Sequence, residues 1–275
     1  MRILLSDRYR ERAAAMQSRR ERLCTLEEEL NRRFIDLYRL DDTLSPAVRQ
    51  KDLTAPEPEL TRELASLMSY FLCCAFGRYS LDREGLIFAG GNFFQSYLQK
   101  GDRAYLSPSD PFGAVAENLI LLRGLPNHPN DLIRLLEEFL TAAYGADALE
   151  ENLLFLSEGL TGGADSPRDS LREYFCTAFF QYHYKMYKNL PLYIPLTFRG
   201  KDSFGAVFYL HRYQPEDALL FDRTFSAWAQ THPGEQKGRL VLEKRLRSLA
   251  ERRPSIDLEE GIRVSVSRLL GEDFL

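Results

Sequence analysis

The chain has 275 residues, 44% of them hydrophobic, and a net charge of −4. That length supports one large core or two small ones, and no stretch reaches the roughly 18 unbroken apolar residues of a membrane helix. The start, MRILLSDRYRER, has too short an apolar segment for a secretory signal, so the sequence predicts a soluble, cytoplasmic protein with no membrane partner.

In chain order, the first element predicted is a long helix. Tyr9, Met16, Leu23, Leu30 and Leu37 recur every seven residues, with Ala13 and Phe34 in the complementary register and Arg20 and Glu27 interrupting the seam. A helix of this kind gains most of its stability by packing, so the stripe needs a covering surface. Leu44-Ser45-Pro46 is read as its end, and APEPELTRELASLMSYFLCCAF as a second helix with acids in its first turn. Gly77 is placed as the glycine that stops this helix, with Arg78 helping to satisfy the last carbonyls and Tyr79 folding back onto the apolar run. PNDLIRLLEEFLTAAYG and ADALEENLLFLSEGL read as two short helices, each closed by a glycine region. SPRDSLREYFCTAFFQYHYKMYKNL reads as one longer helix capped by Asp165-Ser166-Pro167. LYIPLTF and FGAVFYL alternate around the loop RGKDS, which predicts an antiparallel hairpin with Pro195 on an edge strand. GEQKGRLVLEKRLRSLAERR is a basic helix, and SIDL with IRVSV are short terminal strands.

Charge is unevenly spread. Residues 1–33 hold nine Arg against six acids, 34–198 fourteen basic against twenty-two acidic, 199–253 eleven against seven, and 254–275 two against five. Two basic segments thus flank an acidic middle, a distribution that solvated helix faces also produce.

Three motif readings offer chemistry. Phe88-Ala89-Gly90-Gly91 with Ser109-Asp110-Pro111-Phe112 resembles a nucleotide or S-adenosylmethionine loop and a degenerate form of the tetrapeptide of amino-group methyltransferases, but twenty-one residues are too few for the strand-helix-strand unit of about 30 residues between them, and the second proline is missing. Glu235-Gln236-Lys237 has the E-x-K form of a metal-dependent nuclease, with Asp222 upstream, yet it opens a helix after His232-Pro233-Gly234; a nuclease is the remote alternative. Cys24, Cys73, Cys74 and Cys176 lack ligand spacing, so they read as buried thiols and no metal site is expected. His183 and His211, with Lys185, Arg212, Tyr184 and Tyr213, suggest either an aromatic-basic surface or, as Tyr and His at element ends more often do, the closing edge of a core.

The phrases EELNRRFIDLYRLDDTLSPAV, SYFLCCAFGRYSLDREGLIFAGG, ALEENLLFLSEGL, REYFCTAFFQYHYKMYKNLPLYI, SFGAVFYLHRY and SIDLEEGIRV occur in this order. Together they resemble the C-terminal region of PglX-type adenine-specific DNA methyltransferases of BREX phage-exclusion systems, over about residues 27 to 266. The chain departs from the family pattern at Cys73-Cys74, where a Gly-Cys pair is usual, and at Tyr38-Arg39-Leu40, where Tyr-Gly-Leu is usual. It also departs at Asn189-Leu190-Pro191-Leu192-Tyr193-Ile194, which loses an Arg and a Trp, and at RGLPNHPN before the third helix. The resemblance implies that the catalytic tetrapeptide and the S-adenosylmethionine motif belong to another part of the family protein. No cofactor and no catalytic residue are then expected in this chain.

The expected fold class is α+β, predominantly α-helical with a small antiparallel β-hairpin and a long N-terminal helix. The expected regions are a heptad-patterned helical arm (1–55), a mixed helical core with the hairpin at 192–210 (56–233), and a basic helix with short terminal strands (234–275). The expected function is a non-catalytic module that supports DNA binding or assembly in phage defence, the alternative being a protein-interaction scaffold without DNA affinity. Expected partners are DNA, held weakly through phosphates, and the catalytic part or other phage-exclusion proteins. Lys237, Arg239, Lys244, Arg245, Arg247 and Arg252 are the candidate DNA contacts. Gly77, Arg78, Tyr79, His183, Lys185, His211, Arg212 and Tyr213 are family-motif positions whose role the sequence does not assign.

Overall fold

The computed structural model describes residues 2–125, 127–163, 165–187, 192–198 and 203–232, together with Leu240 and Lys244. Most of the loop RGKDS, the E-x-K triplet, most of the basic helix and the terminal strands lie outside the described residues. The fold is α+β and mostly helical, with seven α-helices and two three-stranded antiparallel sheets among the described residues. No described helix is long and apolar enough to cross a membrane.

Helix α1 runs Leu5–Tyr38. Its start is fastened to the core by Asn152, whose amide accepts from Leu5 N–H at 2.8 Å and donates to the Ile3 carbonyl at 3.1 Å. Beyond that anchor Arg12 pairs with Glu63, and the returning strap of residues 46–57 runs along the helix. Arg20, which the heptad reading treats as an interruption, is instead buried, with 3% of its surface exposed. Its guanidinium donates to the carbonyls of Ala55 and Gln50 and to Glu57. The helix also ends earlier than Leu44-Ser45-Pro46. Arg39 adopts a left-handed conformation, φ 54°, and its N–H and that of Leu40 close on the last turn at Asp36 and Ile35.

Helix α2, Leu60–Ala75, buries nine of its sixteen residues. It stops as the glycine signal predicts: Gly77 has φ 80°, its N–H bonds Cys74 O at 2.9 Å, and Arg78 N–H bonds Cys73 O at 2.8 Å. Arg78 satisfies that carbonyl through its backbone, which leaves its side chain for another partner. Tyr79 folds back to stack on Tyr70 with ring centroids 5.7 Å apart.

Between 98 and 123 the chain forms four short strands that the sequence reading omits. Strands β1 (Leu98–Lys100), β2 (Arg103–Tyr105) and β3 (Ala114–Val115) make one sheet. Strand β4 (Ile120–Arg123) belongs to the other. At two to four residues each, they are too short to display an alternation. Helices α3 (Leu132–Tyr144) and α4 (Leu149–Thr161) follow. The long helix expected next is two: α5 (Pro167–Thr177) and α6 (Phe179–Met186), interrupted at Ala178. Neither glycine nor proline marks that break, so periodicity alone cannot place it. Ser166 caps α5 by accepting from Asp169 N–H at 3.3 Å, with Pro167 in the first turn.

Strands β5 (Tyr193–Phe198) and β6 (Phe204–Tyr209) form the predicted hairpin, in sheet order β4-β6-β5. Pro195 therefore lies on an edge strand, where its missing N–H costs nothing to the ladder. Both faces of this sheet are covered. Phe204 and Phe208 meet Phe221 of α7 (Pro215–Thr231), while Tyr193 and Tyr209 meet Phe76 at the end of α2. All six residues of β6 are buried.

Candidate functional site

Two of the sequence phrases, FGRYSLD after α2 and FYLHRY at the end of β6, are brought side by side. Each supplies an arginine to the other. Arg78 Nη1 donates to the Tyr209 hydroxyl at 2.9 Å, and that hydroxyl donates on to Phe88 O at 3.2 Å. In the opposite direction, Arg212 donates to Phe76 O at 3.2 Å, Val115 O at 2.9 Å and Ala116 O at 2.7 Å.

Arg212 is positioned by a 3-10 turn, Leu210–Arg212, that follows β6 directly. It is 7% exposed, and its guanidinium carbon lies 3.5 Å from the centre of the Phe93 ring. Burial lowers its pKa to about 10, which still leaves it charged at neutral pH. Gly77 lets Phe93 approach: a Cβ at Gly77 would stand 2.7 Å from that ring. The opening glycine of FGRYSLD thus serves both the helix stop and the floor under Arg212.

Asn118 completes the joint. Its amide accepts from Tyr209 N–H at 3.1 Å and donates to Tyr209 O at 3.1 Å and to Asp217 at 2.8 Å. Asp217 closes a capping box with Gln214 at the start of α7, and burial raises its pKa. His211 stacks on Tyr209 at 5.3 Å and bonds the Ala89 carbonyl through Nδ1. A cleft of about 670 Å³ opens over this joint, with Phe94, Glu117, Asn118, His211, Glu216 and Arg223 on its walls.

His183 lies elsewhere, fully buried between α2 and β5. Its Nδ1 faces Ser69 Oγ at 3.0 Å, and its ring packs on Tyr187 at 4.6 Å and Tyr193 at 4.8 Å. Burial lowers its pKa to about 3, and Nε2 has no hydrogen-bond partner among the described residues. Tyr193 donates to Cys73 Sγ at 3.0 Å, and burial pushes that thiol's pKa up. Tyr184 and Tyr213 are also buried, so the aromatic-basic surface does not form; these rings close the core. Lys185 is exposed on α6, apart from the other motif positions. Cys73 and Cys74 are buried, whereas Cys24 and Cys176 are only half-buried.

Of the candidate DNA contacts, Lys244 is helical and exposed, and Lys237, Arg239, Arg245, Arg247 and Arg252 lie outside the described residues. Asp110 of the degenerate tetrapeptide is buried as a loop staple, accepting from Leu106 N–H at 3.1 Å and Phe112 N–H at 3.2 Å. Gly90-Gly91 precedes a 3-10 turn at Phe93–Gln95, without the strand-to-helix context of a phosphate loop. The sequence reading missed Tyr209, Asn118 and Asp217. The order Gln214-Pro215 with an acid at Asp217 is a legible helix start; nothing local to Asn118 marks it.

No family model matches the chain. Similar proteins are adenine-specific methyltransferases. The chain is 36% identical over 193 residues to the adenine-specific methyltransferase PglX of Lacticaseibacillus casei (strain Zhang), a match that covers 68% of this chain. It is 29% identical over 245 residues to the adenine-specific methyltransferase BrxX of Escherichia coli O9:H4 (strain HS), which covers 74% of it. The chain spans only 15% of the length of the first protein and 20% of the second.

Proposed function

We propose that this chain, most of which is related to a segment of the PglX-type adenine-specific methyltransferases, acts as the non-catalytic C-terminal module of such an enzyme in phage defence. The observation that carries this reading is the joint between the end of α2 and the end of β6. Arg78, Tyr209, His211 and Arg212 each hydrogen-bond a backbone carbonyl or one another, and so tie α2, β3 and β6 together. Groups committed in this way shape a surface; they do not turn over a substrate. S-adenosylmethionine and the target adenine would then be held by the remainder of the methyltransferase, and this module would support its assembly and its grip on DNA in the cytoplasm.

The test is to express the remainder of the PglX-type protein with and without this chain and to measure adenine methylation of DNA. Methylation that depends on the added chain, together with no S-adenosylmethionine binding by the chain alone in calorimetry, supports the proposal. Stoichiometric cofactor binding by the chain alone would overturn it.

A further inference from the structure

The cleft over the joint separates groups that the fold uses from groups that it leaves over. Its floor is committed: Arg212 bonds three carbonyls, and Asp217 accepts from Asn118 Nδ2 at 2.8 Å and from Gln214 N–H at 2.9 Å. Its rim is not. Glu117, Glu216 and Arg223 are exposed, and their side chains make no hydrogen bond or ion pair among the described residues. Phe94 also lines the space and is 48% exposed, its N–H held at 3.1 Å by the Asn92 side chain that caps the turn Phe93–Gln95. At about 670 Å³ the space has the size of a ligand pocket.

The placement of these groups selects a cation. The bond from Asn118 to Asp217 ties the turn after β3 to the first turn of α7, and Glu117 and Glu216 are the residues just before those two. Two free carboxylates thus start from neighbouring points on different walls of the cleft. Arg223 stands two turns along α7 from Glu216, about 10 Å further on by helix rise, which leaves the carboxylate end negative. The described residues contain no group of three or more His, Cys, Asp or Glu able to hold a metal ion, and carboxylates beside an aromatic ring suit an organic cation. The fold already sets one guanidinium, that of Arg212, over the adjacent Phe93 ring at 3.5 Å. Such a group is planar, stacks on a ring and carries five donors, so it can meet both carboxylates while covering Phe94, where an ammonium acts only as a point charge. We propose that this cleft is a docking site for an arginine side chain presented by a loop of a partner protein, its guanidinium stacked on Phe94 between the carboxylates of Glu117 and Glu216.

A phosphate backbone fits the cleft poorly, because two of its three uncommitted charges are negative and the buried Arg212 is already engaged. An acidic peptide meets the same obstacle. The cleft exceeds the volume of one arginine side chain, which leaves room for the loop that presents it. On the function proposed above, that loop belongs to the remainder of the methyltransferase, and binding at the cleft can be measured without it.

Amide NMR of the full chain tests this with three capped peptides: acetyl-Gly-Arg-Gly-amide, its citrulline isostere, and acetyl-Gly-Glu-Gly-amide. The arginine peptide is expected to give saturable shifts at millimolar concentration, confined to residues around Phe94, Glu117 and Glu216. It should bind about tenfold more tightly than the citrulline peptide, which keeps the shape and lacks the charge. Glu117→Gln with Glu216→Gln should weaken it by about tenfold and, both side chains being exposed, leave the thermal melt nearly unchanged. No saturable shift, shifts elsewhere, equal binding of the citrulline peptide, preference for the glutamate peptide, or binding that survives the double substitution overturns the proposal. None of these outcomes bears on adenine methylation, so the two proposals fail separately.

Discussion

Arg212 donates to the carbonyl of Phe76 at 3.2 Å across 136 residues of sequence, and so ties the end of β6 to the end of α2. Two further carbonyls, of Val115 and Ala116, depend on the same guanidinium. Arg212→Lys keeps the charge and loses the planar fork, so at least one buried carbonyl goes unpaired. We expect a loss of about 2–3 kcal/mol in chemical denaturation, from the cost of leaving such groups unsatisfied. A lysine variant as stable as the parent would show that the fork is dispensable.

The buried His183 predicts an acid-sensitive core. In the folded chain its pKa is lowered from 6.5 to about 3, chiefly by burial. Between those values the unfolded chain binds a proton that the folded chain refuses, so stability falls as pH drops through about 6.5 toward 3 and is unaffected by this group above neutrality. The full effect is about 4 kcal/mol at the lower end of that window. Urea denaturation from pH 7 to 4 should show His183→Gln losing less stability across the range than the parent. Parallel curves would assign the acid sensitivity to other groups.

Arg39 is strained where a glycine would not be. It sits at φ 54° as the cap of α1, a conformation that favours glycine. Side chains in that conformation cost roughly 1–2 kcal/mol, partly offset by the greater freedom of glycine in the unfolded chain. Arg39→Gly should therefore raise the stability of the α1 end by about 0.5–1 kcal/mol. Hydrogen exchange at the amides of Leu37 to Leu40 reads this directly, and faster exchange in the variant would contradict it.

Binding of DNA is expected to be weak and directed at phosphates. Lys244 is exposed, and Arg245, Arg247 and Arg252 follow it in sequence. Changing them together, Arg245→Glu, Arg247→Glu and Arg252→Glu, should abolish a low-salt mobility shift and leave the thermal melt nearly unchanged, since exposed charges contribute little to folding. For the parent, affinity should fall steeply with salt and ignore sequence. No shift at low salt in the parent, or an intact shift in the triple variant, removes DNA from the function and favours a protein-docking role.

The sequence by itself determined the elements whose signals are local. The stop of α2 at Gly77, the cap of α5 at Ser166 and Pro167, and the hairpin with Pro195 on its edge are each specified by a few adjacent residues whose backbone preferences leave little choice. Tertiary structure decided what depends on distant partners. Strands of two to four residues exist because neighbouring strands and helices bury them, and their own pattern is too short to announce them. Arg20 and Arg212 illustrate the same limit. In the sequence an arginine within an apolar pattern reads as an interruption or a surface charge. Only the folded chain presents the carbonyls of Gln50, Ala55, Phe76, Val115 and Ala116 that make burying these cations favourable.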